Sequence, residues 1–223
     1  MAKASLQILA TDVASFCAAH GFILSDHQAA MLARYLELLL KWNQSMNLVG
    51  FNIWRDVLDN LVLDSFYLAE FIMGLTLPPV PQIWDLGSGA GLPGIPLRLM
   101  WQDGQYWMVE VREKRALFLN TALSRLNLPN TRVFQGQVEK FMPMQQAADL
   151  ILSRAFMPGP QLLKLVAPFL KPAGLVILLS NLPLEHIPPL WSLTAQGKYL
   201  AAKTMRHFSA LSLATTANPP IKL

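Results

Sequence analysis

The stretch "DLGSGAGLPGIPL" (residues 85–97) decides the fold, because it places four glycines and two prolines within thirteen residues. It directly follows "QIW" (82–84), which has the pattern of a buried strand, and it runs into the helix-like "GIPLRLM" (94–100). Glycines let the backbone adopt positive φ and approach a ligand with no Cβ in the way. In an open parallel sheet, ligands lie beyond the carboxyl ends of the strands, and free amides at a helix start favour an anionic group. The stretch therefore predicts a ligand-binding turn.

The chain on both sides of this turn alternates between strand and helix patterns. Strands are predicted at residues 82–87, 105–111, 131–136, 148–154 and 174–180, and helices at 94–100, 113–127, 138–142 and 160–170. Such alternation is typical of an α/β fold with a mostly parallel sheet covered on both faces. Near the end, "KYLAAKTMRHF" (198–208) and "ALSLATTA" (210–217) are separated by one residue. We expect these two segments to form a C-terminal antiparallel hairpin.

The first 75 residues have a helical pattern. "SDHQ" (25–28) is a capping box, in which a serine side chain and a glutamine side chain bond each other's backbone amides. A stripe of leucines at helical spacing follows in "MLARYLELLLKW" (31–42), and a further helix is predicted over 55–73. The prolines of "LTLPPVP" (75–81) end it. We therefore predict a helical N-terminal extension, residues 1–77, packed on a core domain of residues 78–223.

The composition bounds the class of protein. The chain has 223 residues, of which 53% are hydrophobic and 14% are charged, enough for one sizeable core. No apolar run reaches the roughly 18 uncharged residues of a membrane span, so we expect a soluble, cytoplasmic protein and, by default, a monomer. The single cysteine, Cys17, excludes an intramolecular disulfide. The net charge of +4 is compatible with a polyanionic partner. The histidines lack the spacing of metal ligands, so no metal is expected: His20, His27, His186 and His207.

Two cofactors compete for the glycine turn. Gly89, Gly91 and Gly94 satisfy the G-x-G-x-x-G pattern of NAD sites, but this pattern begins late after the strand. Asp85 instead precedes an x-G-x-G-x-G run, and an acid there suits the ammonium of S-adenosylmethionine (SAM). Glu110 ends the next strand, 25 residues after Asp85, where a carboxylate can accept both ribose hydroxyls of either cofactor. SAM is favoured and NAD stays the alternative. The turn and strand ends supply these cofactor candidates: Asp85, Gly87, Ser88, Gly89, Gly91 and Glu110.

Several motifs of the chain resemble those of the RsmG (GidB) family of bacterial methyltransferases. The longest is "GLPGIPL" (91–97), which is far more specific than a generic methyltransferase turn. The others, in chain order, are "KWNQSMNL" (41–48), "LDS" (63–65), "EKRALFL" (113–119) and "SRAF" (153–156). Together they cover roughly residues 25–180. Members of this family methylate N7 of a guanine in 16S ribosomal RNA.

The resemblance implies a Rossmann-like class I SAM-dependent methyltransferase fold and a set of site residues. Gly87 and Leu92 are expected to contact the cofactor, Glu110 to hold its ribose, and Val138 with Glu139 to line the adenine pocket. Arg154 of "SRAF" is expected to face both cofactor and substrate and to be the catalytic residue. Lys and Arg supply phosphate contacts to RNA, and the candidates are Lys41, Arg112, Lys114 and Arg115.

The chain departs from the family pattern where polar groups are expected near the RNA. Ser180-Asn181 stands where Lys-Gly is common, Gln137 replaces an arginine, and Leu61 replaces a histidine. The hairpin also lacks the expected basic ending. Two alternatives to 16S rRNA methylation therefore stay open. One is a diverged methyltransferase acting on another RNA or a small molecule, and the other is an RNA- or ribosome-binding protein without transfer activity.

Overall fold

A seven-stranded mixed sheet forms the centre of the molecule, in a computed structural model that describes residues 7–214. The strand order is β3-β2-β1-β4-β5-β7-β6, in which β1 to β5 are parallel and β7 runs antiparallel to both β5 and β6. The predicted α/β class with a mostly parallel sheet is confirmed. The strands are β1 Gln82–Leu86, β2 Gln105–Glu110, β3 Thr131–Gln135, β4 Ala148–Arg154, β5 Leu170–Ser180, β6 Trp191–Ala201 and β7 Thr204–Leu213.

Helices cover both faces of the sheet. Their bounds are α1 Ala10–Ala19, α2 Asp26–Met46, α3 Trp54–Val57, α4 Leu63–Met73, α5 Gly94–Met100, α6 Glu113–Leu126, α7 Val138–Phe141 and α8 Gly159–Val166. A π-helical segment, Leu58–Val62, joins α3 to α4. The helix predicted over 160–170 ends early, because a short 3-10 turn containing Pro168 follows α8 and leads directly into β5.

Strand β1 shows how the sequence pattern produces two cores. Ile83 packs in the larger core with the N-terminal helices, α5 and α6, whereas Trp84 and Leu86 pack in the smaller core with α7 and α8. Alternate residues of a strand point to opposite faces, and a strand covered on both sides is therefore apolar throughout. Asp85 interrupts that run at the glycine turn, and it is buried on the same face as Ile83.

The N-terminal helices pack directly on the sheet domain. The predicted capping box at Ser25 and Gln28 is confirmed at the start of α2. Further along α2, the Trp42 ring meets Phe118 of α6 edge-on, with 5.7 Å between ring centroids. Among residues 7–214, no helix combines the length and the apolar composition needed to cross a lipid bilayer. The division at residues 77 and 78 stays a prediction.

The C-terminal hairpin is confirmed, but the strand positions predicted for it were wrong. Its turn is Ala202-Lys203, inside the segment predicted as the first strand, and residues 204–213 form one continuous strand. Both turn residues have positive φ, 45° and 68°, as in the two-residue turns that suit the twist of a hairpin. Glycine or asparagine usually marks such turns, and neither is present here. Residues 215–217 of the predicted second strand lie outside the described residues.

Candidate cofactor and substrate site

The glycine turn is fastened to the neighbouring strand by its own backbone. The amides of Gly87 and Ser88 both donate to the carbonyl of Val109 in β2, at 2.9 and 3.1 Å. The Ser88 hydroxyl donates to the carbonyl of Asp85 at 2.8 Å and is buried. Ser88 therefore stabilises the turn from inside.

At two positions of the turn, glycine leaves space that a side chain would fill. At Gly87 a side chain would clash with a neighbour, and at Gly89 it would cover the backbone that a ligand could approach. Gly87 has φ +77°, and a Cβ there would lie 2.6 Å from Cδ2 of Phe156. Gly89 has φ +57°, and a Cβ there would meet Arg115 Nη1 only at 3.7 Å. The backbone at Gly89 is thus bare, as close approach of a ligand requires.

Glu110 lies at the carboxyl end of β2 with its carboxylate oriented by two amides. Its Oε2 accepts from the amide of Gly89 at 2.9 Å, and its Oε1 accepts from the amide of Arg112 at 2.8 Å. A carboxylate offers about four lone-pair sites, so half of its accepting capacity remains. The role of Glu110 in holding ribose hydroxyls stays a prediction.

Asp85 lies beneath the turn. Only 1% of its surface is exposed, and a Cβ on Gly94 would come within 2.6 Å of Asp85 Oδ2 and 3.1 Å of the Tyr106 hydroxyl. Burial raises the pKa of Asp85 to about 7, although hydrogen bonding from Ser88 and Tyr106 opposes the shift. The carboxyl group therefore supports the turn from within the core, and a contact between Asp85 and the cofactor ammonium stays a prediction.

The adenine side of the predicted pocket lies beyond β2 and β3. Val138 begins α7 and is 4% exposed, whereas the side chain of Glu139 is exposed. Leu92, in the glycine turn, is half-buried. Val111, predicted as the last residue of a strand over 105–111, lies directly after β2 and is 58% exposed.

Arg154 ends β4 and turns toward the N-terminal helices. Its Nη2 is 3.1 Å from Oδ2 of Asp64 in α4, and its Nη1 donates to the Leu61 carbonyl at 3.4 Å. Leu61 belongs to the π-helical segment, where the usual helical hydrogen-bonding pattern is broken. Arg206 of β7 donates to the same oxygen of Asp64. The sequence analysis missed Asp64 and Arg206 as a pair, although an acid within the apolar run "LVLDSF" signalled a buried carboxylate in need of partners.

The predicted RNA-binding cations lie on or near the helices beside the turn. Lys41 of α2, Arg112 and Lys114 are exposed, and Arg115 is half-buried with its guanidinium near Gly89. Within the described part of the chain, no three His, Cys, Asp or Glu side chains come together as a possible metal site. Cys17 is fully buried, and burial raises the pKa of its thiol to about 12.

The sheet order and the glycine turn are those of the Rossmann-like class I methyltransferase fold. The bare backbone at Gly89 and the spare capacity of Glu110 fit a nucleoside cofactor. The fold is similar to that of a solved O-methyltransferase from Bacillus cereus in complex with SAH, with a TM-score of 0.61 and 14% sequence identity over 91% of this chain and 97% of that one.

The family follows from sequence comparison. Residues 28–185 match the GidB family model, described as rRNA small subunit methyltransferase G. The chain is 49% identical to the ribosomal RNA small subunit methyltransferase G of Nitratidesulfovibrio vulgaris (strain DP4), over 92% of this chain and 95% of that protein. It is 47% identical to the protein of the same name from Lawsonia intracellularis, over 92% and 96%. The chain belongs to the GidB family, and SAM is its cofactor, which decides against NAD.

Proposed function

We propose that the chain transfers the methyl group of SAM to N7 of a guanine in bacterial 16S ribosomal RNA. Membership of the GidB family supports the ribosomal RNA substrate. The reaction type is inferred from three carboxyl groups near the turn, each of which is either already paired or buried. In the described part of the chain, Asp64 is bonded to two arginines, Asp85 is buried beneath the turn, and Glu110 is bonded to two amides.

These carboxylates are poorly placed to remove a proton from a substrate, and guanine N7 needs no such removal. N7 carries an in-plane lone pair and no proton, so it can attack an electrophilic carbon directly. SAM supplies that carbon as a methyl group on a positively charged sulfur. The protein's contribution is then to hold N7 in line with the methyl group and to exclude competing nucleophiles, which is catalysis by positioning and electrostatic preorganisation.

Different residues hold the cofactor and the target guanine. The turn at Gly87 and Gly89, together with Glu110, holds the nucleoside part of the cofactor, and Val111 offers an apolar surface beside it. Phe156 is half-buried, lies against Gly87 and follows Arg154 by two residues. Bases drawn out of RNA structure are commonly stacked on aromatic rings, and we assign Phe156 this role for the target guanine.

Cations along the same edge serve the RNA backbone. Arg112 and Lys114 follow β2 directly, and Lys41 lies on α2, which packs on α6 beside them. Exposed Lys and Arg side chains at a strand edge attract phosphates without reading sequence. A ribosomal substrate also implies that the enzyme works in the cytoplasm.

The test is a methylation assay with labelled SAM and small ribosomal subunits from a strain that lacks the modification. We expect label in 7-methylguanosine after digestion of the 16S rRNA. Label in another RNA or in a small molecule would identify a diverged methyltransferase. SAH binding by calorimetry without any transfer to RNA would identify a binding protein.

A further inference from the structure

Asp64 is a buried carboxylate that forms ion pairs with two arginines from distant parts of the chain. Only 2% of its side chain is exposed, yet Arg154 of β4 and Arg206 of β7 both bond its Oδ2. Burial raises the pKa of Asp64, and the charges of the two guanidinium groups oppose this shift. Removing a charge from water is costly unless it is paired, and the two guanidinium groups supply the opposite charge beside this buried carboxyl group.

The cluster has one positive charge in excess. Its two arginine side chains are partly exposed, whereas the Asp64 side chain is buried. Two guanidinium groups face one carboxylate, and the side chains of Arg154 and Arg206 are 21% and 15% exposed. They line a cavity of about 420 Å³ together with Ser180 and Asn181 at the end of β5. Asn181 adds an amide that can donate hydrogen bonds, whereas the Ser180 hydroxyl already donates to the Leu182 carbonyl. The cavity therefore suits an anionic oxygen group.

The cavity is unsuited to a base. Its aromatic member is Tyr199, whose ring stacks with both Tyr67 and Phe208, with centroid distances of 4.5 and 4.8 Å. These two contacts leave the ring poorly placed to stack on a nucleobase. The nearby Tyr199 hydroxyl opposes the rise in the pKa of the Asp64 carboxyl group.

Arg206 marks the end of the cavity that lies farther from the cofactor turn, because Arg154 ends β4, the strand beside β1. β7 lies three strands from β1 in the sheet order, which is roughly 14 Å at about 4.8 Å per strand. An anion bound by Arg206 thus belongs to a ligand that extends well beyond the turn. RNA is such a ligand, because every nucleotide carries a phosphate.

We propose that the Asp64-Arg154-Arg206 cavity is a phosphate subsite for the RNA backbone flanking the target guanine. Arg206 contacts the phosphate, and Asp64 is a positioning residue that fixes both guanidinium groups. The assignment of the phosphate to RNA rests on the proposed function, whereas the anion site itself does not.

The first experiment titrates the wild-type protein with inorganic phosphate and follows the arginine Nε–H resonances by NMR. We expect a saturable shift in the wild type and none in Arg206→Gln. Arg125→Gln is the matched control, because Arg125 is exposed in the last turn of α6, at the opposite edge of the sheet. Its saturable shift is expected to persist. No saturable shift in the wild type would overturn the subsite, whatever the variants do.

The second experiment measures the affinity for 16S rRNA at several salt concentrations. Each phosphate contact contributes about 0.7–0.9 to the slope of log affinity against log salt. Arg206→Gln is expected to reduce the slope by about this amount, and Arg206→Lys, which keeps the charge, is expected to restore most of it. A merely structural role would weaken binding without changing the slope, and that result would overturn the assignment to RNA.

The outcomes separate this proposal from the proposed function. A loss of SAH affinity in Arg206→Gln would assign the anion site to the cofactor carboxylate and overturn the RNA phosphate. Saturable phosphate binding in a protein that methylates no small subunit would support the anion site while refuting the proposed function. Methylation by the wild type, with an unchanged salt slope in Arg206→Gln, would support the proposed function and refute the assignment of the phosphate to RNA.

Discussion

Replacing Glu110 with alanine tests the cofactor site at its best-defined group. The carboxylate is 4% exposed and accepts amide hydrogen bonds from Gly89 and Arg112, which leaves about two lone-pair sites for ribose hydroxyls. The lost hydrogen bonds to a charged group are expected to weaken SAH binding by roughly 1–3 kcal/mol. This is about a 5- to 150-fold rise in Kd, measurable by calorimetry.

The same substitution removes the acceptor of two backbone amides, so its effect on folding has to be measured separately. Thermal unfolding without ligand reports that effect, and for a chain of this size each 1 kcal/mol lowers the Tm by about 2–4 °C. Glu113→Ala is the control, since Glu113 is an exposed acid three residues further along. It is expected to leave the SAH affinity unchanged. A lower Tm in Glu110→Ala with wild-type SAH affinity would refute the ribose role and leave Glu110 a structural residue.

Three further substitutions test other parts of the molecule. Arg98 is fully buried and donates to four backbone carbonyls, so Arg98→Met is expected to cost at least about 3 kcal/mol in denaturant unfolding. The pKa of Asp85 is raised to about 7 in the fold. The native state therefore binds more protons than the unfolded state between about pH 4 and 7, and stability falls as pH rises through this window. Asp85→Asn is expected to flatten that fall in unfolding measured across the pH range, and an unaltered profile would contradict the assignment. Phe156→Leu is expected to lower kcat/KM for small subunits by about 5- to 150-fold, from a stacking energy of about 1–3 kcal/mol, while Phe156→Tyr retains activity and both keep wild-type SAH affinity.

The sequence predicted those parts of the fold whose signals are local. A strand of residues buried on both faces, a glycine-rich turn and a capping box each depend on a few neighbouring residues, and the five parallel strands follow from repeating that pattern. The position of Glu110 beside the turn could be predicted because parallel strands end at a common edge, so the end of β2 must lie beside the turn that follows β1.

Residues that depend on distant partners could not be predicted in this way. Asp64 and Arg206 are 142 residues apart, and no pattern in either segment indicates the other. The hairpin turn at Ala202-Lys203 was misplaced for a different reason, because its backbone conformation is imposed by the pairing of β6 with β7 and not by a turn-forming residue. Asp85 was predicted to contact the cofactor, and that contact stays a prediction; its burial depends on Tyr106 and Gly94, which only the folded sheet brings close to it.

The N-terminal helices are part of the site, since they fix groups on both sides of the cofactor turn. The Tyr35 hydroxyl of α2 donates to the carbonyl of Ala90 within the turn at 2.9 Å, and the Leu61 carbonyl and the Asp64 carboxylate hold Arg154 at the end of β4. A reaction that depends on aligning one nitrogen with one methyl group is sensitive to small displacements of either. The helical segment therefore fixes the positions of the turn and of Arg154, while the Rossmann-like sheet supplies the edge on which both are placed.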